Sequence, residues 1–236
     1  MPMPQTQTYT SSTALSAANV YMRKVYQWMC AGLAVTSLVA YGVAGSPAIQ
    51  EVIFGSSLVM ILLLVAQFGL VIAISAAVHK MSASTATGLF MLYSALTGAT
   101  LSSIFLVYPM GNIANAFLVT TGTFLAMSIY GSTTKRDLTG MGSFLAMGLF
   151  GLVIAMVVNI FLASSMMDFV ISAIGVLIFT GLTAYDTQKL VQFGANAPLG
   201  DGTAVQRGAI LGALTLYLDF INLFLMLLRL FGNSRD

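Results

Sequence analysis

The chain is expected to be an all-α integral membrane protein, a seven-transmembrane-helix bundle with a central last helix. Three observations predict this. Hydrophobic residues make up 58% of the 236 residues and charged residues only 7%, whereas soluble domains carry about 25% charged residues. Apolar stretches of about 20 residues, each long enough to cross a bilayer core of ~30 Å, recur to the end of the sequence. The last of these stretches carries polar residues along one face, which a lipid-facing helix would not. The mean hydropathy of +0.93 agrees with a membrane location.

Residues 1–19, rich in Thr, Ser, Gln and Ala with Pro2 and Pro4, hold no apolar run and read as a disordered polar tail. Residues 20–236 read as one membrane domain, because no connection is long enough to separate domains. The spans fall near 25–45, 56–78, 84–107, 112–131, 141–162, 168–191 and 207–231. Turn residues punctuate them: Gly45-Ser46-Pro47, His79-Lys80-Met81-Ser82, Pro109-Met110-Gly111-Asn112 and Thr134-Lys135-Arg136-Asp137. Tyr21, Tyr26 and Trp28 flank the first span as interfacial anchors. Cys30, the single cysteine, excludes an intrachain disulfide and a thiolate cluster, and reads as helix packing.

A net charge of +2 with scattered basic residues gives no nucleic-acid partner. The basic residues report orientation instead, since Lys and Arg in short loops stay cytoplasmic. Arg23, Lys24, Lys80, Lys135, Arg136, Lys189 and Arg207 fall on the side of the amino terminus, and Arg229 and Arg235 opposite. The amino terminus is therefore expected in the cytoplasm and the carboxyl terminus outside, with Glu51 and Asp168 on the outer face.

Small residues at helical spacing predict where helices approach closely: Gly208 and Gly212 in the seventh span, and Ala95, Ala99 and Ser103 in the third. In the seventh span Thr215, Asp219, Asn222 and Met226 share a face, and in the sixth Thr180, Thr183 and Asp186 do so, joined by Thr187. Asp186 and Asp219 are the leading site candidates, because an aspartate at mid-helix costs roughly 2.5 to 3.5 kcal/mol on insertion scales. Two carboxylates at close range in a low-dielectric site cannot both stay ionised, so the pair would share a proton and act as a switch. Losing that proton leaves a charge to be relieved by helix separation or by a cation, and a hard cation such as calcium prefers oxygen. Calcium takes about six to eight oxygens, so Thr183, Thr215, Asn222, waters or carbonyls would have to complete a weak, transit-type metal site. Counted from the predicted helix ends, Asp186 lies ~8 Å and Asp219 ~18 Å from the cytoplasmic face, so straight upright helices would hold them apart.

The segments AYDTQKL (184–190) and LYLDFINLFLMLLRLFG (216–232), with TTKRDL (133–138) and STATGLFMLYSALTGATLSS (84–103), resemble the bacterial branch of the Bax inhibitor-1, or transmembrane Bax inhibitor motif, family. The resemblance covers residues 20–232. It implies a seven-helix bundle with a central last helix in a bacterial inner membrane, and a pH-sensitive aspartate gate in a calcium-permeable leak pathway. Asp186 and Asp219 are the positions matching that pair. The chain departs from the family in its second helix, where relatives hold the closed state with a basic residue. Residues 56–78 contain no Lys or Arg, and Gln67 is the strongly polar side chain at that depth. His79 and Lys80 sit at the end of that helix, and His79 could add pH sensitivity near neutrality.

Enzyme classes find little support. Asp219 follows Leu216-Tyr217-Leu218 rather than the GxGD of aspartyl intramembrane proteases, and Pro198-Leu199-Gly200-Asp201 lacks the first glycine. No mid-membrane lysine in the seventh span could form a retinal Schiff base, and no nucleotide-binding glycine loop or metal-spaced histidines occur. The expected protein is a non-enzyme without a cofactor, with the lipid bilayer, calcium and protons as partners. Two functions remain: a pH-sensitive calcium (cation) leak channel or transporter, or a regulatory protein that binds and modulates other membrane proteins without flux of its own.

Overall fold

A computed structural model describes residues 6–197 and 201–232, with side chains from residue 14. All regular structure among them is helical: α1 (Thr6–Ala44), α2 (Pro47–Phe54), α3 (Ser57–Ala77) with a 3-10 turn (Val78–Lys80), α4 (Ala83–Leu101), α5 (Ile104–Val107), α6 (Met110–Thr133), α7 (Thr139–Leu162), α8 (Ser165–Ala195) and α9 (Gly202–Phe231). Seven helical segments are long and apolar enough to cross a membrane. The last is the most enclosed by protein, and the span built on α3 the least.

Local chemistry sets the breaks between helices. Pro47 opens α2, where its missing N–H costs nothing. Ser82 caps α4 by accepting the Thr85 N–H at 3.0 Å. The third span is interrupted after Leu101, where the Ser102 hydroxyl turns back onto the Ala99 carbonyl at 2.7 Å. Helix α7 ends at Leu162 and is capped by Ala163, a non-glycine residue at φ 45°.

The observed helices correct several expectations. Helix α1 starts at Thr6, so the described part of the expected tail is helical; Ala17 and Ala18 are buried and no proline interrupts 6–44. Residues 1–5 lie outside the described residues. Tyr21 is no interfacial anchor: its ring is buried against Phe193 at 5.4 Å between centroids, and its hydroxyl donates to the Gly208 carbonyl at 2.8 Å. Cys30 is exposed rather than packed.

The chain divides into two compact units, one of 1–102 and Lys189–Thr215, the other of Ser103–Gln188 and 216–236. In the first unit, α4 packs on α1 so closely that a β-carbon on Gly98 would stand 2.5 Å from the Thr36 carbonyl oxygen. The Thr36 hydroxyl spans the same contact, donating to the carbonyls of Gly32 (3.0 Å) and Ser94 (2.9 Å). The buried small-residue ridge of α4 is therefore Ser94, Gly98 and Ser102, one position before the expected Ala95, Ala99 and Ser103. Glycine permits the closest approach, and its position decides which face turns inward. The expected Gly208 and Gly212 pair does lie in a close contact: a β-carbon on Gly212 would meet Leu190 at 2.8 Å and Val25 at 3.1 Å.

The second unit has a core of Leu145, Leu152, Ile171, Ile178, Phe179, Leu182, Leu223, Met226 and Leu227, drawn from α7, α8 and α9. A smaller cluster joins Ala116 of α6 to Phe224 and Leu228 of α9. Both site aspartates belong to this unit.

Candidate functional site

Helix α8 presents Asp186 from a stretch that three glycines hold tightly. Gly131 of α6 lies against the Ala184 backbone. A β-carbon on Gly142 of α7 would stand 2.5 Å from the Tyr185 ring, and one on Gly181 of α8 would stand 2.6 Å from Leu145. Each contact places backbone or ring where a larger residue would intrude, so this turn of α8 has little freedom to shift. Helix α9 presents Asp219 next to an aromatic brace, in which the Phe220 ring meets Phe117 at 5.6 Å and Phe124 at 5.5 Å, both edge-on.

The two acids meet. The Asp219 and Asp186 carboxyl groups lie within hydrogen-bonding reach, Asp219 is 5% exposed, and its Oδ2 has no partner. The depth difference counted from helix ends does not keep them apart. In an antiparallel helix pair each Cα–Cβ bond tilts toward its own amino terminus, so an Asp186 nearer the α8–α9 turn and a deeper Asp219 lean toward one another and take up part of that difference. A hydrogen bond between two carboxyls requires a proton on one of them, because an ionised carboxylate only accepts. Ser128 on α6 and Thr187 on α8 also bury hydroxyls without partners in this unit.

The expected supporting residues divide. Thr183 is buried and donates to the Phe179 carbonyl at 2.8 Å, and the Asn222 amide donates to the Leu218 carbonyl at 2.8 Å. Each thus spends a donor within its own helix and keeps its oxygen free to accept. Thr215 closes the first unit and donates to the Leu211 carbonyl at 3.1 Å. Gln67 is also in the first unit, where it donates to the Leu63 carbonyl at 3.2 Å and accepts from Thr97 at 3.4 Å. His79, likewise of that unit, is exposed beside a 160 Å³ pocket lined by Phe193 and Val205, and its carbonyl accepts from Arg207 at 2.7 Å. No group of three or more His, Cys, Asp or Glu suited to a metal occurs among the described residues.

Sequence reasoning passed over one residue beside the site. Gln188 is buried two positions after Asp186, accepts the Leu138 N–H at 2.9 Å and donates to the Arg136 carbonyl at 2.8 Å. It fastens the α6–α7 turn to the helix carrying the acid. Its signal was a polar residue inside the AYDTQKL segment.

A family model described as inhibitor of apoptosis-promoting Bax1 matches residues 18–236. The chain belongs to the Bax inhibitor-1 family. Over 215 residues it is 54% identical to the inner membrane protein YbhL of Escherichia coli K12, covering 91% of this chain and 92% of that protein. An uncharacterized protein of Borreliella burgdorferi is 50% identical over 219 residues, covering 92% of this chain and 94% of its own. An uncharacterized protein of Deinococcus radiodurans is 42% identical over 227 residues, with 96% of each chain covered. The similarity to these Bax inhibitor-1 relatives therefore extends through both units and both aspartate-bearing helices.

Proposed function

We propose that this protein is a pH-sensitive leak pathway for calcium across the bacterial inner membrane, with the Asp186–Asp219 pair as its gate. The observation that carries the reading is the meeting of two carboxyls in a site where Asp219 is buried. While a proton bridges the acids, α8 and α9 are held together. Removing it places net negative charge among apolar helices, which separation of the acids or arrival of a cation relieves. Calcium is then cargo, met by the carboxylates and by the free acceptor oxygens of Thr183 and Asn222. With two acids this is a weak site, as passage requires, since tight binding would retain the ion. The non-enzymatic reading follows from the same chemistry, in which protons move and no covalent bond changes.

The name of the Escherichia coli relative supports placing the chain in an inner membrane, and the basic residues favour a cytoplasmic amino terminus. Calcium uptake into liposomes containing only the purified chain tests the function. Flux that rises as pH climbs through the titration of the pair is expected. Liposomes that stay tight at every pH, with folded protein present, would overturn the channel and leave a protein that acts through other membrane proteins.

A further inference from the structure

Away from the aspartate pair, the second unit holds a cavity of about 910 Å³ whose polar lining is Tyr108, Asn159, Ser165, Asp168, Ser172 and Arg229. Its rim is built at the α7–α8 turn. The Asn159 side chain accepts the Ser164 N–H at 3.1 Å and donates to the Ser164 carbonyl at 3.2 Å and to Asp168 Oδ1 at 2.8 Å. This knot fixes the Asp168 carboxylate at the cavity wall. One helical turn on, Ser172 is 1% exposed and its hydroxyl has no partner, although it lines the cavity. Arg229, near the end of α9, makes neither an ion pair nor a hydrogen bond among the described residues.

The cavity wall therefore carries one fixed anion, one cation without a partner among the described residues and an orphaned buried hydroxyl. Asp168 and Arg229 do not pair with each other. A simple cation would meet Arg229 and a simple anion would meet Asp168, so the complementary ligand carries both charges. The remaining wall includes Ile160 and Phe169, exposed apolar side chains at the ends of membrane spans. Charged groups above an apolar, lipid-facing flank match a phospholipid at the depth of its headgroup. The volume falls within the range of about 300 to 1,000 Å³ usual for small-ligand sites.

We propose that this cavity seats the phosphoethanolamine headgroup of a membrane phospholipid, with the phosphate toward Arg229 and Ser172 and the primary ammonium toward Asp168. The ammonium donates to the carboxylate, which a quaternary trimethylammonium has no N–H to do, and a glycerol headgroup offers no cation. The site shares no residue with the aspartate gate, and its test requires no flux.

Native mass spectrometry of the full chain, titrated with phosphatidylethanolamine, phosphatidylglycerol and phosphatidylcholine of matched acyl chains, reads the preference directly. Phosphatidylethanolamine should be retained most strongly. Arg229→Ala and Asp168→Asn should each weaken that retention by about tenfold, the loss expected for one charge-assisted hydrogen bond. Arg229 is exposed, so Arg229→Ala leaves the fold intact and decides the matter even if Asp168→Asn disturbs the turn. Equal retention of the three lipids, or unchanged retention in Arg229→Ala, would overturn the proposal. Water-soluble phosphoethanolamine displacing the lipid at equal concentration would also overturn it, by assigning the cavity to a soluble ligand.

Discussion

Gly131 of α6 lies directly against the backbone of Ala184, two residues before Asp186, and leaves no room for a β-carbon between the helices. The position of Asp186 is thus tied to the smallest side chain on a neighbouring helix. Gly131→Ala should push α6 from α8 and lower stability by about 1 to 3 kcal/mol, the usual cost of overpacking. Thermal unfolding of the purified variant checks this. An unchanged unfolding temperature would mean that the two helices can part without loss.

Asp186→Asn and Asp219→Asn keep size and hydrogen-bonding capacity while removing the titratable charge. Each should abolish or shift the pH dependence of calcium flux while leaving the helical content intact. The double variant should resemble either single one, because breaking a coupled pair once is sufficient. Flux with the wild-type pH profile in both single variants would assign the aspartates to helix packing alone.

Gln188→Ala should release the α6–α7 turn by leaving the Leu138 N–H and the Arg136 carbonyl without their partner. Stranding such groups costs roughly 1 to 3 kcal/mol where they stay buried. Faster amide exchange at Leu138, with the α8 amides still protected, is the expected signature. Retained protection at Leu138 would show that the turn is held by other contacts.

In the same turn, the Thr139 hydroxyl and N–H both donate to Asp137, at 2.6 and 2.9 Å, and hold its carboxyl below the ordinary value of 3.8. A carboxyl whose folded value is depressed contributes stability that is present above the unfolded value, and that is lost as pH falls through the folded one. Amide protection at the start of α7, taken relative to the intrinsic exchange rate at each pH, should therefore fall below about pH 4, and Asp137→Asn should remove that acid dependence. A loss of protection that persists in Asp137→Asn would point to another titrating group.

A reporter fused after Asp236 should lie outside the cytoplasm, and one inserted between Lys135 and Asp137 inside it. Both on one side would contradict an odd number of crossings.

The seven spans were readable from composition and length because a bilayer imposes one simple requirement on every crossing helix. Asp186 and Asp219 stood out for the same reason, as charges where charge is costly. What periodicity could not deliver was rotation. The α4 ridge lies one residue from its expected place because Gly98, rather than the alanines beside it, makes the closest contact. Tyr21 was assigned to the interface by residue type, but its hydroxyl finds the Gly208 carbonyl far along the chain. Gln188 was hidden because its two partners are backbone groups in a distant turn, and backbone leaves no mark in a sequence pattern.

The span built on α3, Ser57–Lys80, measures about 36 Å at 1.5 Å per residue, longer than a hydrocarbon core of about 30 Å. Little of it is covered by protein, so the surplus length is met by tilt, by a kink or by a locally thicker bilayer. One end is not free to follow, because Arg207 grips the His79 and Met81 carbonyls at 2.7 and 3.2 Å. Where a thinner or thicker membrane changes the tilt, the Ser57 end has more freedom to move than the end held at His79.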